Sequence, residues 1–229
     1  MKTILIFVLA IACIRADFIE LRRGFVNEIR GLDRRVVPSG KPLIELTPNS
    51  KKSQYLIAKM MRTIPNLSSK QISNARLILS ESSRFTTSGK VMAYLLATAY
   101  VESNLIPSEE KLSDNPRIRK VQQHYFDIGY QGRGYIHFSG PTTYTRMLNE
   151  LLAAGEKRVE PKDLLEPRIA AKVLVIGAMK GLFTGCSIIQ CLSPANDFNN
   201  ARRAFNGENR AVEIQQLAEK ITGDYTDSD

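Results

Sequence analysis

From residue 50 onward, apolar residues recur at the spacing of an amphipathic α-helix. The first run places apolar side chains on one helical face, namely Leu56, Ile57, Met60, Met61 and Ile64. Pro65 should end that helix, because proline lacks the amide hydrogen that continues the hydrogen-bond ladder. Ser68 and Gln71 have the spacing of a capping box, so a second helix is predicted to begin there.

Residues 90–101 are apolar on nearly all sides, which is typical of a buried helix. Three prolines suit the first position of further helices: Pro116, Pro141 and Pro167. The helix after Pro167 is predicted to be long and apolar, with Ile169, Val173, Leu174, Ile176, Met179 and Leu182. A last helix carries Val212, Leu217 and Ile221. The pattern therefore predicts one mostly α-helical domain over residues 49–223, with residues 224–229 as a tail.

The first 16 residues have the features of a secretory signal peptide. Lys2 supplies the positive start, an apolar stretch runs from Ile4 to Ile14, and Ala16 is a small residue before the cleavage point. A membrane anchor is the alternative, but the run is shorter than the ~20 residues that a span requires. We therefore expect a secreted, extracellular protein. Residues 17–48 are predicted to form an N-terminal extension packed on the domain.

Charge narrows the choice of partners. The formal net charge is +9, and it falls to +7 when residues 1–16 leave with Lys2 and Arg15. A positive excess favours anionic partners such as bacterial wall polymers, nucleic acid or anionic membrane. No nucleic-acid-binding motif accompanies the basic residues, so we expect no nucleic-acid partner. No later apolar run in the sequence is long enough to span a membrane, so no membrane partner is expected either. We also expect the chain to be a monomer.

Cysteine and histidine content argues for a disulfide and against a metal site. Cys186 and Cys191 are the two cysteines that remain after processing, and in an exported protein they are expected to form a local disulfide. The chain has two histidines, His124 and His137, and neither lies at a recognisable ligand spacing. No metal or cofactor is therefore expected.

A carboxylate ends the predicted buried helix. Glu102 follows a series of apolar residues and is the only acid between Glu81 and Glu109. Burial against apolar groups raises the pKa of a carboxyl group, which suits a general acid that must stay protonated near neutral pH. The alternative interpretation is that Glu102 only marks the point where a buried helix reaches solvent.

A glycine-rich segment 28 residues downstream favours the interpretation of Glu102 as a general acid. It runs Tyr130-Gln131-Gly132-Arg133-Gly134-Tyr135-Ile136-His137-Phe138-Ser139-Gly140. Together with Glu102, this segment resembles glycoside hydrolase family 19, the chitinases and phage-type endolysins. The resemblance covers roughly residues 68–222. It implies a lysozyme-like helical domain with a two-lobed cleft, and an inverting hydrolysis of β-1,4-linked N-acetylglucosamine polymers.

The resemblance also assigns roles to individual residues. Glu102 corresponds to the proton donor, and Ser139 to a hydroxyl that positions the attacking water. His137 and Thr143 occupy positions of sugar contacts. Near the C-terminus, Arg203 corresponds to an arginine that pairs with a catalytic carboxylate, and Asn206 to a sugar-binding asparagine. From the residues themselves, Arg133 is expected to hold a carboxylate bidentately, and Tyr130 and Tyr135 to line sugar subsites.

The second carboxylate is less well defined by sequence. Glu109, Glu110, Asp114 and Asp127 are all candidates, and we favour Glu110 as the base that activates water. The segment from Glu110 to Ser113 resembles the family's Glu-Asn-Leu-Asn, displaced by one position. An ordinary solvated pair of glutamates, Glu109 and Glu110, is the alternative.

Three departures from the family pattern bear on the substrate. Val101 replaces a histidine before the acid, His137 replaces a glutamine, and Thr143 replaces an asparagine. We expect a chitinase-like polysaccharide hydrolase. A peptidoglycan-degrading muramidase and a non-catalytic glycan-binding relative are the alternatives.

Overall fold

The computed structural model describes residues 50–192, 198–205 and 210–224, which belong to one compact unit. The predicted signal peptide, the predicted extension over residues 17–48 and Asn206 lie outside the described residues, as does the tail beyond residue 224. The following account concerns the described part of the chain.

The described residues are mostly helical, as the sequence predicts. We number the α-helices in chain order: α1 Lys51–Thr63, α2 Ser69–Ser82, α3 Gly89–Ser103, α4 Pro116–Asp127, α5 Pro141–Ala153, α6 Pro167–Lys180, α7 Ile188–Leu192 and α8 Ala211–Thr222. Two 3₁₀ segments occur at Pro161–Leu165 and Phe198–Ala204. A small antiparallel sheet pairs β1, Ser108–Glu109, with β2, Arg133–Gly134. The more specific expectation, a lysozyme-like fold with a two-lobed cleft, stays a prediction.

Helix starts follow the local chemistry of their first residues. The predicted capping box is present: Ser68 Oγ accepts from the Gln71 amide, and the Gln71 side chain accepts from the Ser68 amide. Ser50 and Ser88 cap α1 and α3 in the same way, with one side-chain bond each. The predicted prolines begin α4, α5 and α6, where the missing amide hydrogen costs no helical bond.

Helix α3 forms the centre of the larger hydrophobic cluster. It packs against α1, α2 and α8, and its residues from Val91 to Ala99 are all buried. This confirms the buried helix predicted for residues 90–101. No face of α3 is exposed to solvent along this stretch. Only the C-terminal end of the helix, which carries Glu102, approaches the surface.

Helix α6 joins two hydrophobic clusters. Ala170, Leu174 and Ala178 pack into the cluster around α3, whereas Ile169 and Val173 pack against α5 in a smaller cluster. The helix ends at Lys180, because Gly181 takes a left-handed φ of 67° and terminates it. The prediction that Leu182 belongs to this helix is therefore wrong.

One predicted core residue lies at the surface. Met61 is 50% exposed, although it was expected on the buried face of α1. Its neighbours Leu56, Ile57 and Met60 are buried, so the face that meets α3 and α8 is narrower than the sequence pattern indicates.

The predicted disulfide between Cys186 and Cys191 is present, and it links α7 to the loop before it. None of the described helices is long and apolar enough to cross a membrane. Within the same residues, no group of three or more His, Cys, Asp and Glu side chains is arranged to hold a metal ion.

A buried ion network ties α6 to α2 and to the loop after α5. The Lys172 ammonium lies 3.4 Å from Glu81 and 3.2 Å from Glu156, and its side chain is only 9% exposed. Arg168 donates to both oxygens of Glu156, at 2.8 and 3.0 Å. These hydrogen bonds from Arg168, followed by that from Lys172, hold the pKa of Glu156 below its ordinary value of 4.5.

We expect Glu156→Gln to lower the free energy of unfolding at pH 7 by about 1–3 kcal/mol, because the buried Lys172 loses one of its two counter-charges. A carboxyl group whose pKa is depressed in the folded state stabilises the fold above its unfolded pKa, and this contribution is lost as the pH falls through the folded pKa. The stability difference between wild type and variant should therefore shrink on acidification below about pH 4.5. Urea unfolding of both proteins at several pH values measures this difference.

Arg158→Gln is the matched control, since it removes an ion pair with Glu160 whose side chains are 91% and 50% exposed. It should cost less than about 1 kcal/mol. Equal losses in the two variants, or a difference independent of pH, would contradict a stabilising role for the buried network.

Candidate functional site

Glu102 lies in the last turn of α3, and two side chains of α2 hold the turn that follows it. Asn104 and Leu105 both adopt a left-handed φ, at 53° and 57°, which ends the helix abruptly. Gln71 Nε2 donates to the backbone and side-chain oxygens of Asn104, and Asn74 Nδ2 donates to the Leu105 carbonyl at 2.7 Å. These bonds compensate for the strained backbone and fix the direction in which Glu102 leaves the core.

The carboxylate of Glu102 is paired with a buried arginine. Its Oε1 lies 2.7 Å from Arg202 Nη2, with side-chain exposures of 18% and 5%. The contact is a charge pair rather than an aligned hydrogen bond, since neither Glu102 Oε1 nor Arg202 Nε has a hydrogen-bond partner among the described residues. An arginine–carboxylate contact is what the family resemblance implies at this end of the chain.

The arginine that makes this contact is Arg202, so the expectation that Arg203 pairs with the carboxylate is wrong. Arg203 is exposed, and its backbone carbonyl accepts a hydrogen bond from Thr184. Both residues belong to the 3₁₀ segment Phe198–Ala204. A 3₁₀ helix has three residues per turn, so successive side chains differ in direction by about 120° and one of two adjacent arginines faces away from Glu102.

A row of buried hydroxyl groups continues inward from Glu102. Thr98 lies about one helical turn before it and Tyr94 about two turns before it, on the same face of α3. Both side chains are fully buried, and neither hydroxyl has a hydrogen-bond partner in the described part of the chain. Burial raises the pKa of Tyr94, with nearby Arg202 opposing and Glu102 reinforcing the shift. The acid of α3 therefore has a polar, not a purely apolar, lining on its inner side.

Glu110 is held by the glycine-rich segment and by α4. Its Oε1 accepts from the Gly132 amide at 2.5 Å, and its Oε2 accepts from Gln122 Nε2 at 2.8 Å. The Glu110 amide in turn donates to the Gly132 carbonyl, which extends the β1–β2 ladder by one residue. The carboxylate is thus fixed by two donors and remains partly accessible.

The hydrogen-bond partners of Glu109 differ from those of Glu110. Arg133 Nε donates to Glu109 Oε2 at 3.0 Å, and Gln131 Nε2 donates to Glu109 Oε1 at 2.9 Å. The remaining Arg133 bonds go to the Gly129 carbonyl and to Tyr144. Arg133 therefore makes one hydrogen bond to a carboxylate and not the bidentate pair we expected, because its second nitrogen is directed at the loop backbone.

Gly132 and Gly134 are each required in this segment for a different steric reason. A methyl group at Gly132 would lie 2.6 Å from the His137 carbonyl oxygen and 2.8 Å from the Glu110 carboxyl carbon, which is closer than real contacts allow. Gly134 has a φ of 89°, a conformation that side chains disfavour. The Arg133 and Phe138 backbones then exchange two hydrogen bonds and close a tight turn around Tyr135–His137.

His137 contacts β1 from within the glycine-rich turn. Its Nε2 is 3.0 Å from Ser108 Oγ, and its backbone has a φ of 49°, uncommon for a residue with a side chain. Burial lowers the pKa of His137, while the charges of Glu110 and Glu102 act in the opposite direction. His137 therefore joins the glycine-rich turn to β1, the strand that precedes Glu110.

The remaining predicted residues divide between surface and core. Tyr135 is buried, and its hydroxyl has no hydrogen-bond partner among the described residues, so the expectation that it lines a sugar subsite is wrong; the tight turn directs its ring inward. Tyr130 packs edge-on against Tyr144, with ring centroids 5.4 Å apart, and stays half-buried. Ser139 and Thr143 are half-buried near the same segment.

Two of the alternative carboxylates, Asp114 and Asp127, are exposed, and Asp127 accepts from Gln123 on its own helix.

Sequence analysis missed four residues that contact the carboxylates or His137, namely Arg202, Gln122, Gln131 and Ser108. The pair of adjacent arginines, Arg202 and Arg203, was a sequence signal for Arg202. Nothing in the sequence indicated the others, because their partners are 12 to 29 residues away.

Comparison of the chain with known protein families, with curated protein sequences and with solved structures finds no match. The resemblance to glycoside hydrolase family 19 therefore stays a prediction. What the site geometry offers chemically is two carboxylates with different partners.

We expect Gly132→Ala to disturb the site, because the added methyl group must displace either the His137 backbone or the Glu110 carboxyl group. Overpacking of this kind typically costs about 1–3 kcal/mol. Thermal unfolding measures the loss, and histidine imidazole NMR signals report whether His137 has moved.

Gly129→Ala is the control for this change. Gly129 has a φ of 78°, and an added methyl group there meets nothing within 4 Å, so only backbone strain is introduced. It should lower stability without altering the His137 signals. If Gly132→Ala leaves those signals unchanged, the close approach at Gly132 is not what fixes the site.

Proposed function

We propose that this protein is a glycoside hydrolase that cleaves β-1,4-linked N-acetylglucosamine polymers with inversion, using Glu102 as general acid and Glu110 as general base. The observation that supports it most is that the two carboxylates have different partners: Glu102 Oε1 lies 2.7 Å from Arg202 Nη2, whereas Glu110 accepts from the Gly132 amide and from Gln122 Nε2. Glu102 and Glu110 come from separate elements, the end of α3 and the residue after β1. A glycosidase requires such a pair at one site.

The partners of each carboxylate suit different roles. Glu110 accepts from the Gly132 amide and the Gln122 side chain, and donors of this kind stabilise an ionised base. Glu102 lies at the end of the most buried helix, and its side chain is 18% exposed, so it can reach a ligand at the surface. In the reaction, Glu102 gives its proton to the glycosidic oxygen as that bond to the anomeric carbon breaks. Water attacks the same carbon and loses a proton to Glu110.

The contact between Glu102 and Arg202 favours a second candidate function. A guanidinium 2.7 Å from a carboxylate stabilises the anion, whereas a general acid must carry a proton. A non-catalytic glycan-binding relative would keep the same pair without needing to protonate it. Under the first proposal, substrate binding must weaken this contact before the proton is transferred.

The polymer is proposed to be chitin, with peptidoglycan as the alternative. The basic net charge of +9 favours an anionic wall polymer, while chitin is neutral and does not require it. Comparing turnover of a soluble chitin oligomer with clearing of a bacterial cell-wall suspension distinguishes the two. No product from either polymer, with retained glycan binding, would favour the binding-protein function.

Glu102→Gln should keep the fold and glycan binding but lose most activity, because the amide cannot donate the required proton. Acid catalysis contributes about 10²–10⁴-fold in rate, so a loss of that size is expected in kcat. Glu219→Gln, which changes an exposed residue of α8, is the matched control and should be fully active. Near wild-type turnover by Glu102→Gln would remove Glu102 from the mechanism.

The stereochemistry of the product tests the assignment of Glu110. An inverting mechanism should release the α-anomer first, and proton NMR of fresh product detects it before mutarotation. The carboxyl groups of an inverting pair lie about 6.5–9.5 Å apart, against about 5–5.5 Å in a retaining pair, which leaves room for the attacking water. Initial release of the β-anomer would rule out Glu110 as a base that activates water directly.

A further inference from the structure

We propose that helix α4 docks on an anionic lipid surface, an interaction that goes beyond the proposed function and does not rest on it. None of the 12 residues of α4 is buried. Each other described helix carries at most one large, exposed apolar side chain, whereas α4 and its capping residue carry three. These are Ile118, Val121 and Ile128, with exposures of 51%, 56% and 42%. A helix this short gains most of its stability from packing, which leaves a place for a further partner on α4.

The three exposed apolar side chains form a stripe along one side of α4. An α-helix turns by about 100° per residue, so the three positions fall within an arc of about 80°. The domain contacts a neighbouring face of the helix, where Gln122 donates to Glu110 and the ring of Tyr125 lies beside Gly140. The apolar side of α4 is therefore wider than the part that the domain covers.

The same helix carries an excess of positive charge. Arg117, Arg119 and Lys120 are exposed, and none of them forms an ion pair with another described residue. Asp127, the one acid of the helix, accepts a hydrogen bond from Gln123 instead. Three positive charges minus one negative charge leave α4 with a net charge of +2. A partner that covers α4 therefore has to supply both apolar and anionic groups.

An anionic lipid surface supplies both kinds of group. Helices with an apolar stripe beside basic residues lie in the plane of the membrane surface, where the apolar side chains enter the acyl boundary and the basic ones meet phosphate. This binding mode requires no spanning helix. The absence of a long apolar run, on which the expectation of no membrane partner rested, therefore does not bear on it.

Other occupants of this surface fit less well. Chitin is neutral and would leave the basic residues without a counter-charge. A second copy of the chain is disfavoured, because a two-fold symmetric contact between α4 helices would place the basic residues of one copy against those of the other. An anionic lipid surface is the occupant that matches both the stripe and the charge.

Fluorescence can test the docking directly, because the chain has no tryptophan and an introduced one has no background. In the full chain, the emission of Val121→Trp should move to shorter wavelength when phosphatidylglycerol vesicles are added, since the indole leaves water for the lipid interface. Phosphatidylcholine vesicles should cause no such change. Val212→Trp, at a 66% exposed position on α8, is the matched control and should not respond to either lipid.

Sedimentation with the same phosphatidylglycerol vesicles separates the apolar from the charged contribution. The double variant Ile118→Ser/Val121→Ser removes the stripe and keeps the charge, whereas Arg117→Gln/Lys120→Gln removes charge and keeps the stripe. Each should weaken binding by about 10-fold or more. Raising the salt concentration should weaken binding of the wild type as well, because salt screens the attraction to the headgroups.

Matched controls change the same kinds of residue elsewhere on the surface. Leu152→Ser/Val212→Ser removes two exposed apolar side chains, and Lys162→Gln/Lys220→Gln removes two exposed charges. Both should bind vesicles as the wild type does. All the proteins share residues 1–49, so any contribution from that segment is common to them. Thermal unfolding shows whether each variant is folded.

The outcomes decide between lipid and the other occupants. Loss of binding in both α4 double variants, with binding kept by the controls, supports the proposal. It is overturned if Val121→Trp does not respond to phosphatidylglycerol, or if both folded α4 double variants bind like the wild type. Full binding by Ile118→Ser/Val121→Ser alone would identify a site for soluble polyanions instead. A dimer in sedimentation velocity that this variant dissociates would show that a second copy covers the stripe, which also overturns lipid docking.

Discussion

Burial of helix α3 on all sides is the constraint on which the rest of the structure depends. A helix with apolar residues around its whole circumference must be covered by other elements, and α1, α2 and α8 cover it. Its charged residues lie near its ends. Glu102 is at the C-terminal end, and Arg202, itself buried, supplies the charge that faces it. The position of the candidate acid is thus a consequence of core packing.

The second carboxylate depends on a different constraint, the close approach of backbone segments at Gly132. Only a residue without a side chain lets the Glu110 carboxyl group and the His137 carbonyl come this near. The ion pair between Glu109 and Arg133 then fixes the register of β1 against β2. The two adjacent glutamates therefore have different partners: Glu109 pairs with Arg133 across the sheet, and Glu110 accepts from the Gly132 amide and from Gln122.

Sequence analysis was a good guide wherever local chemistry determines the structure. The capping box at Ser68, the prolines that begin α4, α5 and α6, the buried helix α3 and the disulfide were all predicted and are present. It was less reliable at element boundaries and on helix faces. Gly181 ends α6 before Leu182, and Met61 is exposed because the face of α1 that meets its neighbours is narrow.

The sequence by itself determined that the described chain is mostly helical, that Glu102 ends a buried helix and that a tight glycine-rich turn follows. Only the tertiary structure decided which side chains meet. It assigned Arg202 rather than Arg203 to Glu102, buried Tyr135 and brought His137 into contact with Ser108 of β1. The reason is physical: caps, turns and periodicity act within a few residues, whereas these contacts depend on how distant segments pack.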